Sequence, residues 1–550
     1  MKAAEAVGHA LVEAGVDHVF GVVGSGNFHV TNAMVAAGAR FVAARHEGGA
    51  ATMADAYARM SGTVSAVSVH QGCGLTNAMT GITEAAKSRT PVVVVAAEAT
   101  NPRSNFYVDQ PGLAAAVGAV GLRVDSAKTA VEEARHAVAL ARDEHRTVLL
   151  NLPLEVQADE VPEPVGPVDV RPASAPREPS GSDVAVLVSA LTAAERPVFV
   201  AGRGARGRGC RTALADLAER SGALLATSAV AKGLFQGNPW SLDVSGGFAS
   251  PLAAELVRGA DLIVGWGCSL NMWTMRHGRL IGEGTTVVQV DDDPEAIGAQ
   301  RPGAVGVVGD VRQTALAALA SYDAKRTGYR DPEIGRRIAA QVRWRNVPYD
   351  DATTGRADGR IDPRTLSIAL DDLLPAKRVV AVDSGNFMGH PSMYLSVPDE
   401  LGFCFTQAYQ SIGLGLATAL GAALAQPERL PVAALGDGGA LMSAAELDTV
   451  VRLAVPMLVV VYNDDAYGAE VHHFAADGDP LDIVRFPPTD VAAIARGFGF
   501  EAATVRSAAD LAPVGDWVER WCAGDRSRPM LVDAKVVSEP SWWLAEAFGH

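Results

Sequence analysis

Cysteine is scarce and unpatterned in this 550-residue chain: Cys73, Cys210, Cys268, Cys404 and Cys522 are the full set. Their odd number and the lack of a C-x-x-C pair argue against a disulfide framework and against a cysteine zinc site. A reducing cytoplasm is the simplest setting for such a chain. Excess positive charge is missing too. Lys and Arg total 47 against 63 Asp and Glu, a formal net charge of −16, so there is no general footprint for nucleic acid or an anionic membrane. The basic stretch RGARGRGCR at 203–211 is too short to alter that. Apolar runs such as TPVVVVAA fall far short of a membrane span. The N-terminal stretch MKAAEAVGHALVEAGVDHVF carries Glu5, Glu13 and Asp17, which argues against a signal peptide. What the chain does have is a folded-protein composition, 48% hydrophobic and 20% charged with 56 glycines. Its length divides into roughly three or four domains.

Short apolar runs alternate with helical patterns throughout. In residues 1–160, HVFGVV, VSAVSVH, PVVVVAA and TVLLNLP read as strands and EGGAATMADAYARMSG and LTNAMTGITEAAKS as helices. The strands are continuous apolar runs, as expected when helices cover both faces of a parallel sheet. Residues 157–183, rich in Pro, Ser and acid, read as a linker. A second unit at 184–320 contains RPVFVAG, ADLIVGWG and TTVVQVDDD, and a polar, Arg-rich connection covers about 321–360. A third unit at 361–540 contains KRVVAVDSGN, PVAAL, MLVVVYND and RPMLVDAKV, followed by a tail at 541–550 with Trp542 and Trp543. The expectation is α/β, with three doubly wound parallel-sheet domains.

Two strand ends in the third unit carry acids. Gly436-Asp437-Gly438-Gly439 follows PVAAL, and Asn463-Asp464 follows MLVVV. SAAELDTVVRLAVP between them reads as one helix, and the acids are 464 − 437 = 27 residues apart, enough for one right-handed crossover. Ligands of open α/β sheets bind at strand C-terminal ends, and paired hard oxygens there suit Mg²⁺ completed by phosphate oxygens. This arrangement resembles the thiamine diphosphate motif, GDG followed by a helix and an Asn-Asn pair. The resemblance implies that Asp437, Asp464 and the carbonyl of Ala466 hold Mg²⁺ against the cofactor's diphosphate. Asp464 departs from the commoner Asn and adds a negative charge beside a polyanion. Over nearly the whole chain the order of units resembles the acetolactate synthase and benzoylformate decarboxylase group. The three units would then be pyrimidine-binding, central and diphosphate-binding domains.

Further site residues come with the resemblance. Glu47, in Arg45-His46-Glu47-Gly48-Gly49, opens a helix, where the macrodipole favours a carboxylate; the family's glutamate hydrogen-bonds the aminopyrimidine and activates the cofactor. Gln410 and Ile412 match the segment beneath the thiazolium, which implies that Ile412 is the wedge holding the bent cofactor and that the carbonyl of Gln410 accepts from the aminopyrimidine amine. Gly385, Asn386, Gly438 and Gly439 are expected at the phosphates, and Gly436, Asn463, Tyr467 and Gly468, on the two strand-end turns, are also expected to contact the cofactor. Ser25 and His70 match a substrate-contacting serine and a proton-relay histidine of benzoylformate decarboxylase, with Gln71 beside them; an imidazole suits proton transfer near neutral pH. His29 is left undecided, and His472 and His473 are read either as lining the mouth of the site or as surface residues, with the surface favoured. Trp542 and Trp543 are read as a pocket cap or as dimer packing. Gly202–Gly207 formally fits GxGxxG, a weak signal alone; the segment 266–271 lacks the Arg-Phe-Asp-Asp type sequence of FAD-binding synthases, which speaks against FAD.

The implied function is a thiamine diphosphate- and Mg²⁺-dependent enzyme that decarboxylates a 2-oxo acid and ligates the product to a second carbonyl. Release of an aldehyde with His70 as proton donor is the alternative; a non-catalytic cofactor-binding paralogue is a third. The family's sites form between chains, so a homodimer is the minimum and a homotetramer the expected assembly. No nucleic-acid or membrane partner is expected.

Overall fold

The computed structural model describes residues 1–162, 175–353 and 359–540. In the N-terminal domain the strands are β1 (His18–Gly21), β2 (Arg40–Ala43), β3 (Ser65–Val69), β4 (Val92–Glu98), β5 (Val120–Arg123) and β6 (Thr147–Pro153). They form one parallel sheet in the order β2-β1-β3-β4-β6-β5. The central domain has β7 (Pro197–Ala201), β8 (Leu224–Thr227), β9 (Ser241–Val244), β10 (Leu262–Trp266), β11 (Thr286–Asp291) and β12 (Val305–Val308), ordered β12-β11-β10-β7-β8-β9. The C-terminal domain has β13 (Arg378–Val382), β14 (Phe403–Phe405), β15 (Leu430–Gly436), β16 (Leu458–Asn463), β17 (Glu501–Val505) and β18 (Met530–Lys535), ordered β14-β13-β15-β16-β18-β17. Numbered within each domain, the first and last sheets share the order 2-1-3-4-6-5. The central one is 6-5-4-1-2-3, the dinucleotide-binding arrangement. The inner strands β3, β4, β6, β13 and β16 are buried at every position, which is why they appear in the sequence as unbroken apolar runs.

The outer domains meet through matching helices. Helix Glu47–Ser61 follows β2, helix Gly415–Ala425 follows β14, and the two pack together in one core with Ala50, Met53, Ala56, Leu416, Ala417 and Leu420. Both are rich in Gly and Ala, so their backbones approach closely. A Cβ at Gly421 would lie 2.2 Å from the Met53 carbonyl oxygen. The arrangement therefore requires glycine there.

Some expectations change. The stretch SAAELDTVVRLAVP contains one helix, Glu446–Arg452, and a separate short helix that was not expected, Asp437–Met442, precedes it; Ser443 bonds back to the Gly439 carbonyl at 2.8 Å and the chain turns before Glu446. The connection near 321–360 contains helix Pro332–Gln341, started by Asp331, which accepts from Glu333 and Ile334 N–H. The expected linker ends at helix Gly181–Ala193, and its residues 163–174 lie outside the described residues, as do Trp542 and Trp543. No described helix is long and apolar enough to cross a membrane.

Candidate active site

In the C-terminal sheet the strand order reverses between β13 and β15, and a cavity of about 580 Å³ opens at their C-terminal ends. Its lining includes Gly385, Asn386, Gln410, Ile412, Gly436, Asp437, Gly438, Gly439, Asp464, Ala466, Tyr467 and Gly468. These segments converge because each lies just beyond a buried strand or on the loop leading into helix Gly415–Ala425. Asn463 does not line the cavity. Its side chain is fully buried; it donates to Asp533 at 2.9 Å and accepts from the Asp465 N–H at 3.1 Å. Asn463 thus holds the turn that presents Asp464, and the expectation that it contacts cofactor is corrected to that role.

The acids at the cavity floor are electrostatically loaded. Burial and then the neighbouring Asp464 push the Asp437 carboxyl up to about 7, and burial also raises Asp464. Among the described residues no Lys or Arg lines the cavity. Nor does any group of three or more His, Cys, Asp or Glu side chains suffice for a metal. Two hard carboxylates short of a full cage fit Mg²⁺, which completes its shell with water and phosphate oxygens. The backbone leaves room for a polyanion. A Cβ at Gly439 would sit 2.2 Å from Asp383 Oδ2, and one at Gly438 2.5 Å from the Tyr467 ring, so both N–H groups are reached across bare backbone. The residues present fit the pair.

A pH dependence follows. The folded Asp437 binds its proton far more tightly than an ordinary carboxylate of pKa about 3.9, so the empty site loses stability as pH rises toward 7. A bound cation displaces that proton. The melting-temperature increase produced by Mg²⁺ and thiamine diphosphate should therefore grow between pH about 6 and about 8; an increase independent of pH would contradict the assignment.

Sequence reasoning missed Asp383, which ends the run VVAV without belonging to a motif. It is fully buried, accepts from Gly413 N–H at 3.0 Å and Leu414 N–H at 3.2 Å, and so fixes the loop carrying Ile412. It also missed Ser538, which donates to Asp464 at 3.0 Å and lies 3.1 Å from His472 Nε2. The surface reading of the two histidines is corrected: His472 is half-buried and joined to Asp464 through Ser538, and His473 lines the cavity.

The other predicted residues gather at the corresponding reversal in the N-terminal sheet, between β1 and β3. Ser25 Oγ lies 3.4 Å from His70 Nε2, and His70 Nδ1 lies 2.9 Å from the Gln71 carbonyl oxygen. Gln71 is buried with its Oε1 unpartnered. The Gly24-Ser25-Gly26 loop lies directly on both side chains: a Cβ at Gly24 would meet His70 at 2.4 Å. Glu47 accepts from Asn77 Nδ2 at 3.1 Å, while His46 caps its helix by accepting from Gly48 N–H at 3.0 Å. His29 is exposed against Phe28. Glu47, His70, Ser25 and Gln71 do not line the cavity of the C-terminal sheet. The described residues thus form two separate clusters, one at each sheet reversal. Phe28, Phe106 and Tyr107 are exposed in the domain of one, and Met442, Phe474 and Phe486 in that of the other.

Comparison with known proteins agrees with this geometry. Residues 1–118 match the thiamine pyrophosphate enzyme N-terminal TPP binding domain, 184–319 the central domain and 383–534 the C-terminal TPP binding domain. The chain is similar to a probable 2-ketoarginine decarboxylase of Pseudomonas aeruginosa, 29% identical over 91% of this chain and 88% of that protein. It is also similar to a sulfoacetaldehyde acetyltransferase of Castellaniella defragrans, 28% identical over 93% and 90%. An acetolactate synthase large subunit of Parasynechococcus marenigrum is 27% identical over 92% and 83%. The three matched domains, in order and together spanning most of the chain, establish that the chain belongs to the thiamine pyrophosphate enzyme family.

Proposed function

We propose that the chain uses thiamine diphosphate and Mg²⁺ to remove CO₂ from a 2-oxo acid, and that it releases the product as an aldehyde. The observation that carries this is the His70–Ser25 pair at 3.4 Å, on the same sheet edge as Glu47. When bound, thiamine diphosphate supplies the electron sink that lets the bond to CO₂ break. Asp437, Asp464 and the Ala466 carbonyl would hold Mg²⁺ against the diphosphate, and Gly438 and Gly439 would donate N–H groups to it. Glu47 holds or passes a proton at the pyrimidine ring. Ser25 contacts the substrate carboxylate, and the His70 imidazole delivers the proton that completes the aldehyde.

The half-sites join between chains in this reading. The N-terminal edge of one protomer covers the diphosphate cavity of its partner, so a homodimer is the smallest active unit. The five cysteines are free, in keeping with a reducing cytoplasm.

Ligation to a second carbonyl is the second reading. The large cavity favours it, as do the names of the acetolactate synthase and acetyltransferase relatives. His70→Ala separates the two. With aldehyde release, CO₂ formation in a single turnover continues while steady-state aldehyde formation falls about 10²-fold, the low end for a lost general acid. Unchanged aldehyde formation, or acyloin as the main wild-type product, would remove the first reading.

A further inference from the structure

Two buried glutamates outside the cofactor cavity tie the outer domains together in matching ways. Glu446, 3% exposed, lies on the C-terminal-domain helix after β15. Its Oε1 accepts from the N–H groups of Arg45 and His46, each at 3.0 Å, directly before Glu47. Thr449 donates to its other oxygen at 2.6 Å. Gly49 makes room: a Cβ there would lie 2.5 Å from Glu446 Oε1. Glu84, fully buried, lies on the N-terminal-domain helix Cys73–Lys87 after β3. It accepts from the N–H groups of Ala408 at 3.0 Å and Tyr409 at 2.6 Å, directly before Gln410. Arg59 donates to Glu84 at 2.8 Å and to the Phe405 carbonyl at 2.9 Å, from within the packed helix pair.

The two contacts correspond under the shared strand order. In each, a glutamate from the helix after a domain's third strand accepts two consecutive N–H groups. Those groups belong to the loop after the other domain's second strand. Each loop then delivers the residue read as facing the pyrimidine: the Glu47 carboxylate in one, the Gln410 carbonyl in the other. Gln410 has φ +60°, a left-handed conformation that a residue with a Cβ keeps only where its surroundings enforce it. The two anchored N–H groups immediately before it supply that constraint.

We propose that Glu446 and Glu84 are positioning residues, a reciprocal pair of carboxylate clamps through which each cofactor-binding domain sets the pyrimidine-facing residue of the other. The proposal rests on the reading of Glu47 and Gln410 given above. It also gives a physical reason for the two clamps to be carboxylates: one oxygen accepts from adjacent N–H groups at Glu446, and both do so at Glu84, while each retains capacity for a further donor.

Wild-type protein, Glu446→Ala, Glu446→Gln and Glu84→Gln are compared in two measurements. In cofactor-free protein, amide hydrogen exchange is followed at Arg45–His46 and at Ala408–Tyr409. With saturating thiamine diphosphate and Mg²⁺, hydrogen–deuterium exchange is followed at the cofactor's reactive thiazolium carbon. Glu446→Ala should lose protection at Arg45–His46 alone and slow the carbon exchange about 10-fold, the size of one lost hydrogen bond. Its affinity for the cofactor should stay within about 3-fold of wild type, under half the free energy of that bond. Glutamine keeps one accepting oxygen, so Glu446→Gln, where a single oxygen takes both N–H groups, should stay near wild type in both measurements and show that the chain folds, whereas Glu84→Gln turns an amide NH₂ toward one of its two anchored N–H groups and should lose protection at Ala408–Tyr409. Carbon exchange that is equally fast in wild type and Glu446→Ala would overturn the clamp at Glu47. Glu446→Gln as defective as Glu446→Ala would overturn the acceptor geometry. An absence of carbon exchange in wild type would overturn the reading of Glu47, and the proposal with it.

Discussion

Glu47→Gln should lower CO₂ release from a 2-oxo acid by about 10²–10⁴-fold, the range for a lost proton-transferring side chain, with the fold and the retention of cofactor little changed. The substitution isolates one property. Glutamine matches glutamate in shape, and its oxygen can still accept from Asn77, now at 3.1 Å. His46 rather than Glu47 caps the helix, through the Gly48 N–H, so the helix start survives. The two N–H groups ahead of Glu47 stay bound to Glu446. What disappears is the capacity to hold and release a proton at that position. Circular dichroism and thiamine diphosphate titration would establish that the variant is folded and loaded. CO₂ release equal to wild type would remove Glu47 from the chemistry.

The second large effect belongs to the cavity floor. Asp437→Ala should abolish Mg²⁺-dependent retention of thiamine diphosphate. Losing even an outer-shell partner of a metal ligand costs about 10–100-fold, and Asp437 is read as a ligand itself. Asp464→Asn should behave quite differently. It keeps a hard oxygen and removes the charge that, after burial, does most to raise the Asp437 carboxyl. Cofactor affinity should hold or improve, and the pH dependence of the Mg²⁺ effect should move to lower pH as Asp437 returns toward ordinary acidity. Calorimetric titration of both variants at pH about 6 and about 8 checks the contrast. Equal losses in the two variants would mean that the carboxylate charge of Asp464, and not its oxygen alone, is needed for the cation.

The interior of each sheet was legible because a strand covered on both faces leaves a continuous apolar run. The runs AVSV, VVVVAA and LVVV are β3, β4 and β16 almost residue for residue. The edges left no such trace. β5 alternates half-buried and exposed positions, β17 is mostly half-buried, and β12 begins with two exposed residues; a strand paired on one side has no need of a continuous apolar pattern. The residues that line the C-terminal cavity were legible as a group because they are adjacent to strand ends. Asn463 misled for the same reason: it precedes the cavity-lining Asp464 in the turn and points the opposite way, into Asp533. Asp383, Glu84, Glu446 and Ser538 act across domains or between distant loops, and nothing local in the chain marks a partner as far away as the 400 residues from His46 to Glu446.

The proposed division of the site between Glu47 of one chain and Asp437 of another is tested most directly by subunit mixing. Chains carrying Glu47→Gln and chains carrying Asp437→Ala should each be nearly inactive alone. In a two-fold dimer that combines one of each, both defects fall in one site and the other site is intact, so random mixing should restore about a quarter of wild-type CO₂ release. If both residues served a site within a single chain, every site in the mixture would carry a defect. Mixed dimers that form, as seen by mass spectrometry, yet remain inactive would contradict the account.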